Sequence, residues 1–265
     1  MLDSFSFKLL LTFLVGSSVV TLATVAAEKF GSKVGGFIAG LPSTAAIGLF
    51  FIGLAQSPKA ASEATDVIPL IFGFNGLFLV TYAVGARWGT AIGLTGALMV
   101  WMSLTLAAIF LDIRHFGFSL GAFIVLLTGS YLVLEKILRI GSAGKLSLFH
   151  TPGQIGFRAI FSGLIITMAV FLSKIGGPIW GGVFSAFPAV FISTLVITSK
   201  SAGVEFSRTL TKSLLVSASI NVVAYALAVR AFYPSHGLVT GTVIAYAMAG
   251  ISACGTYIFI QKKMA

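Results

Sequence analysis

Cysteine and charge are what this chain has least of. A single cysteine, Cys254, excludes an intrachain disulfide, and without Cys/His ligand spacing a structural zinc site has no support. Charged residues make up 9% of the chain, where a soluble domain carries about a quarter. Acids are scarcer than bases. Glu28, Glu63, Asp66, Asp112, Glu135 and Glu205 all fall at the ends of apolar segments or in loops, so no carboxylate sits at mid-depth as a proton carrier. His115, His150 and His236 have no carboxylate partner at useful spacing, and no nucleophile–base–acid set is visible. The expectation is therefore no enzyme, no cofactor and no metal.

What the chain does have is apolar length. Hydrophobic residues make up 57% of its 265 positions and the mean hydropathy is +1.05. That composition defines an all-α polytopic membrane protein. The net charge of +10 does not point to nucleic acid, because the bases are spread singly among apolar segments and form no stripe with aromatics. Cys254 reads as a small buried apolar residue of the last span. Trp88 and Tyr233 read as interfacial anchors, and so by default does Trp180.

A span needs about 20 mostly apolar residues. Charged and Gly/Pro-rich breaks give nine: 7–27, 35–56, 66–85, 89–111, 117–135, 156–173, 178–199, 212–230 and 236–260. The first could pass for a signal peptide, but its n-region is weakly basic and it takes part in the repeat described next, so it is kept as a transmembrane helix. Alternating loops separate twelve bases (Lys29, Lys33, Arg87, Lys136, Arg139, Lys145, Arg158, Lys200, Arg208, Lys212, Lys262, Lys263) from five (Lys8, Lys59, Arg114, Lys174, Arg230). By the positive-inside rule the larger set is cytoplasmic, with the N-terminus outside and the C-terminus inside. The expected location is the cell (inner) membrane of a prokaryote.

One phrase occurs twice. Gly35-Gly36-Phe37-Ile38-Ala39-Gly40-Leu41-Pro42 returns 146 residues later as Gly181-Gly182-Val183-Phe184-Ser185-Ala186-Phe187-Pro188. The same offset pairs Thr21 with Thr167, Gly31 with Gly177, Leu49 with Leu195 and Asn75 with Asn221. This reads as an internal duplication. Spans one to four (1–112) form one copy and spans six to nine (156–265) the other, joined by span five and a linker (113–155). Five passes separate the two starts, so the copies are inverted-topology four-helix repeats.

Glycine pairs followed by proline predict interrupted helices, and matched interruptions in inverted repeats point to a midplane binding site. The same glycines also serve close helix packing. The candidate substrate-binding residues are Gly35, Gly36, Pro42, Ser43, Thr44, Asn75, Gly181, Gly182, Pro188, Ser193 and Asn221. The two amides lie near mid-span, where they either contact a polar ligand or bond a neighbouring helix. Hydroxyls in such helices also bond back to their own backbone. Asp66 and Lys212 occupy matching positions and read as solvated end residues or as a gating or coupling pair.

The second half, through Leu172-Ser173-Lys174, Phe187-Pro188-Ala189-Val190-Phe191 and Gly250-Ile251-Ser252-Ala253, resembles the GlpM-type small inner-membrane proteins. The resemblance covers roughly residues 164–260 and, more faintly, 18–110. It implies four-span modules, here fused and duplicated, and adds no substrate. The expectation is a small secondary transporter or facilitator for a small polar solute or ion, set in the lipid bilayer, with a homodimer left open. The competing expectation is a non-transporting membrane assembly or lipid-organising protein.

Overall fold

The computed structural model describes residues 4–29, 41–141 and 151–263, and these are helical almost throughout, with no strand among them. In order they form α1 (Phe5–Lys29), α2 (Ser43–Ala55), α3 (Pro58–Ala64), α4 (Ile68–Gly85, extended by a 3-10 turn over Ala86–Trp88) and α5 (Thr90–Phe110). Next come α6 (Phe116–Leu132, widening into a π turn over Val133–Ile137), α7 (Pro152–Gly176), α8 (Pro178–Ser185), α9 (Ala189–Ala202) and α10 (Val204–Lys263). Local chemistry fixes several starts. Thr151 and Gln154 form a capping box ahead of α7, with Pro152 in the first turn, and the Ser57 side chain accepts from the Ala60 amide ahead of α3.

α1 lies along α7, α4 sits among α5, α6 and α10, and α8 rests on α2, α3 and α7. The buried centre is built from α2, α4, α8 and α9 with the first arm of α10, where Leu49, Ile71, Phe78, Leu195 and Tyr225 are shielded completely. The outer helices keep apolar side chains exposed, among them Leu14, Met99, Val125, Ile160 and Ile251. In lipid such a surface carries no hydrophobic penalty.

The nine expected spans map onto this with corrections. Among the described residues seven segments are long and apolar enough to cross a membrane, and α2, 13 residues long, is the described part of the second expected span. α10 is two helices meeting at Gly237, whose φ of 74° and ψ of 179° lie outside the helical range; its arms, 204–236 and 238–263, correspond to the expected eighth and ninth spans. The first arm starts eight residues before the expected 212, because Ser207 and Arg208 bond to α4 and Ser207, Arg208 and Thr211 are buried. The seventh expected span is not continuous but breaks between α8 and α9.

Two single-residue expectations are also corrected. Tyr233 is fully buried, with its hydroxyl on Thr242 Oγ1 at 2.8 Å, and is no interfacial anchor. Cys254 is exposed. Both follow from the arm-to-arm packing within α10, which turns one face of each arm inward regardless of depth. Trp88 is exposed at the end of α4, as an anchor would be.

The helix bounds follow the offset of the repeated phrase at two places. α1 and α7 are each 25 residues long, and α2 and α9 start at Ser43 and Ala189, 146 residues apart.

Candidate functional site

The second copy of the phrase builds a helix break in the middle of the fold. α8 closes with the Ala186 amide donating to Gly182 O at 3.0 Å and the Phe187 amide donating to Phe184 O at 3.2 Å. Pro188, without an N–H, then interrupts the ladder and occupies the N-cap of α9 at φ −74°, ψ 38°. The Ala189 amide turns back to Phe187 O at 2.7 Å. Pro42 repeats the device ahead of α2, at φ −77°, ψ 60°, with the Ser43 amide on Leu41 O at 2.8 Å, an inverse γ-turn geometry. Both prolines stand at the start of a helix. Gly35 and Gly36 lie outside the described residues.

A broken helix leaves backbone groups that a membrane interior cannot hydrate. Here the Ala186 carbonyl accepts from Asn75 Nδ2 at 2.9 Å, so an amide of one half clasps the break of the other. Asn75 is buried, and its Oδ1 has no hydrogen-bond partner among the described residues. The same holds for Ser185 Oγ at the end of α8 and for Trp101 Nε1 and Thr105 Oγ1 on α5. Trp101 meets the Phe187 ring edge-on, with centroids 5.1 Å apart, and Phe161 approaches that ring at 6.2 Å. An aromatic wall and the uncharged polar groups of Asn75, Ser185 and Trp101 thus adjoin the break.

Asn221 is equally buried but differently employed. Its Oδ1 accepts from Ser252 Oγ at 2.8 Å and from Thr256 Oγ1 at 3.3 Å, tying the arms of α10 together. The two asparagines share no described partner. Ser193 Oγ bonds back to Val190 O at 3.1 Å, and Ser43 and Thr44 are half-buried in the first turn of α2. Gly181 and Gly182 touch protein. A β-carbon on Gly181 would stand 2.6 Å from Ser173 Cβ, and one on Gly182 would collide with the Ala64 carbonyl, so α8 approaches α7 and α3 as only glycine permits.

Ion pairs lie at the helix ends, and the matching pair of positions is split between them. Asp66, between α3 and α4, pairs with Arg230, whose guanidinium also lies 4.6 Å over the Phe116 ring. Burial raises the Asp66 pKa above its usual value, with Arg230 opposing. Lys212 is buried and pairs with Glu135 of the π turn at 2.6 Å. Neither Asp66 nor Lys212 is therefore the solvated end residue that hydropathy suggests. Lys212 stands 18 residues from Arg230 along one α-helical arm, so the pairs mark opposite ends of the bundle.

The other contacts sort the same way. Lys8 Nζ donates to Leu54 O and Gln56 bonds Ser173 at the Asp66 end. At the far end Tyr82 bonds Ser207, Arg208 donates to Ala83 O, and Gln154 bonds Ser201. The smaller and larger sets of basic residues, where described, collect at these two ends respectively.

Sequence reasoning missed Trp101, Phe187 as a wall, and the partners Arg230 and Glu135. A tryptophan in the middle of an apolar span, away from either interface, was the available signal for the first.

These features define the class: an all-α polytopic membrane protein with a buried helix break. No family model, no curated protein and no solved structure matches the chain.

Proposed function

We propose that this protein is a small secondary transporter or facilitator built from two inverted-topology four-helix repeats joined by α6, and that its substrate, a small polar solute, binds at the α8–α9 break. The observation that carries this is the clasp between Asn75 and the Ala186 carbonyl, beside buried polar atoms of Ser185 and Trp101 without described partners. Buried polar groups left unpaired cost roughly 1–3 kcal/mol each, a cost that a hydrogen-bonding ligand removes. With every described acid at a helix end, the lining is uncharged, which favours a neutral solute over an ion.

Access alternates between the ends. Asp66–Arg230 closes one and Lys212–Glu135 the other, so Asp66 and Lys212 serve in opposite gates. The basic asymmetry supports a cytoplasmic Lys212 end and an N-terminus outside an inner membrane. The resemblance to GlpM-type modules supports this architecture and adds no substrate.

The test locks one gate at a time. With Cys254 replaced by alanine, cysteines at 66 and 230, or at 135 and 212, are bridged with a short bismaleimide, and a further thiol in Ser185→Cys is probed. Each lock should block labelling of position 185 from its own face only. Labelling indifferent to both locks overturns the gating assignment.

A further inference from the structure

Away from the break, α6 and the two arms of α10 enclose an apolar cavity of about 370 Å³, lined by Leu127, Tyr131, Val216, Ile220, Gly255 and Phe259 among others. Its volume falls within the ~300–1,000 Å³ of small-molecule sites. It opens on the outer surface of the bundle, where Val125, Leu132, Ile251 and Ile258 stand exposed, so what reaches its mouth is lipid. Thr128 and Thr256 also line it, and the Thr256 hydroxyl is engaged by Asn221 Oδ1 and the Ala253 carbonyl.

Charge at one end of the cavity says which lipid. One turn beyond Tyr131 comes Glu135, the acid nearest the opening on these elements, and Lys212 already neutralises it at 2.6 Å. Lys136 and Arg139 follow on the same segment, and Lys262 lies one turn past Phe259; all three are exposed. The end is net cationic, and basic side chains near a bilayer surface attract anionic headgroups. We propose that this cavity binds one acyl chain of an anionic phospholipid, with the headgroup phosphate held by Lys136, Arg139 and Lys262. The bound chain lies one hydrogen bond from Asn221. This site is separate from the α8–α9 break and stands whether or not the protein transports.

Gly255 supplies the decisive variant, because a β-carbon there meets nothing within 4 Å and a larger side chain fills the cavity without displacing backbone. Gly121, on the exposed face of α6 with equally open surroundings, is the control. Full-length protein in detergent is mixed with phosphatidylglycerol, with phosphatidylcholine of the same chains, or with inorganic phosphate, and bound molecules are counted by native mass spectrometry. One phosphatidylglycerol should be retained per chain, about tenfold or more over phosphatidylcholine, given three cations at the headgroup. Gly255→Phe should lose it and Gly121→Phe keep it. The triple change Lys136→Ala, Arg139→Ala, Lys262→Ala should bind both lipids alike. Equal retention by Gly255→Phe and the unaltered chain, no headgroup preference, or competition by inorganic phosphate alone would each overturn the proposal.

Discussion

At the scale of the residue, the centre of this protein depends on how Asn75 is used. An amide in the middle of an apolar span was legible as a polar landmark, but its partner lies 111 residues away in the other half, and nothing local encodes that pairing. Removing the donor leaves the Ala186 carbonyl buried and unpaired. Asn75→Ala should therefore destabilise by about 1–3 kcal/mol, measured by thermal or denaturant unfolding in detergent. Asn221→Ala removes hydroxyl-to-amide bonds between two helices, typically worth about 0.6 kcal/mol each in membranes, and should cost less. Equal costs would contradict the distinction drawn between the two amides.

Asp66 gives the pH dependence at the same scale. Burial raises its pKa despite Arg230, so the folded state holds the proton more tightly than the unfolded chain. The ion pair is intact above the raised value and is lost as pH falls through it, earlier than for an ordinary carboxylate. By linkage the folded state gains stability relative to the unfolded one as pH drops through that window. Unfolding midpoints of the unaltered chain should thus improve relative to Asp66→Asn on acidification towards 3.8, its ordinary value. A shift in the opposite direction would mean that Arg230 outweighs burial.

At the scale of the element, the repeated phrase announced an interruption but not its place. Gly181 and Gly182, read both as part of the interruption and as a packing device, lie within α8 and serve contact with α3 and α7, while the break falls at Ala186–Pro188. Glycine in a helix permits either outcome, and which one occurs depends on the neighbour that crosses it. Gly182→Ala should cost about 1–3 kcal/mol of stability, because its β-carbon meets the Ala64 carbonyl, a backbone atom unable to swing aside. The same unfolding assay checks this, and a neutral effect would show that α3 gives way. Hydropathy also misplaced the start of α10. Thr, Ser, Arg and Glu over 205–211 read as loop, whereas Arg208–Glu205 pairing and bonds to α4 keep them helical.

At the scale of the whole molecule, the all-α membrane class and the separation of basic residues into two sets were legible, because each is a sum over many positions and tolerates local error, whereas the count of nine spans was not reproduced by the seven segments long and apolar enough among the described residues. The close packing of the two arms of α10, which buries Tyr233 and leaves Cys254 exposed, was not, since it is decided by which faces meet and not by depth. Nor were the partners of Asp66 and Lys212, since Arg230 and Glu135 had first to be placed in space.

The most direct test is side-specific thiol labelling of Ser185→Cys in a Cys254→Ala background, with membrane-impermeant maleimide applied separately to each face of oriented vesicles. Ser57→Cys, in the turn between α2 and α3, is the loop control. A transporter with its site at the α8–α9 break predicts labelling of position 185 from both faces. Labelling of the control with none at 185 from either face would identify the break as sealed packing and contradict the transporter reading.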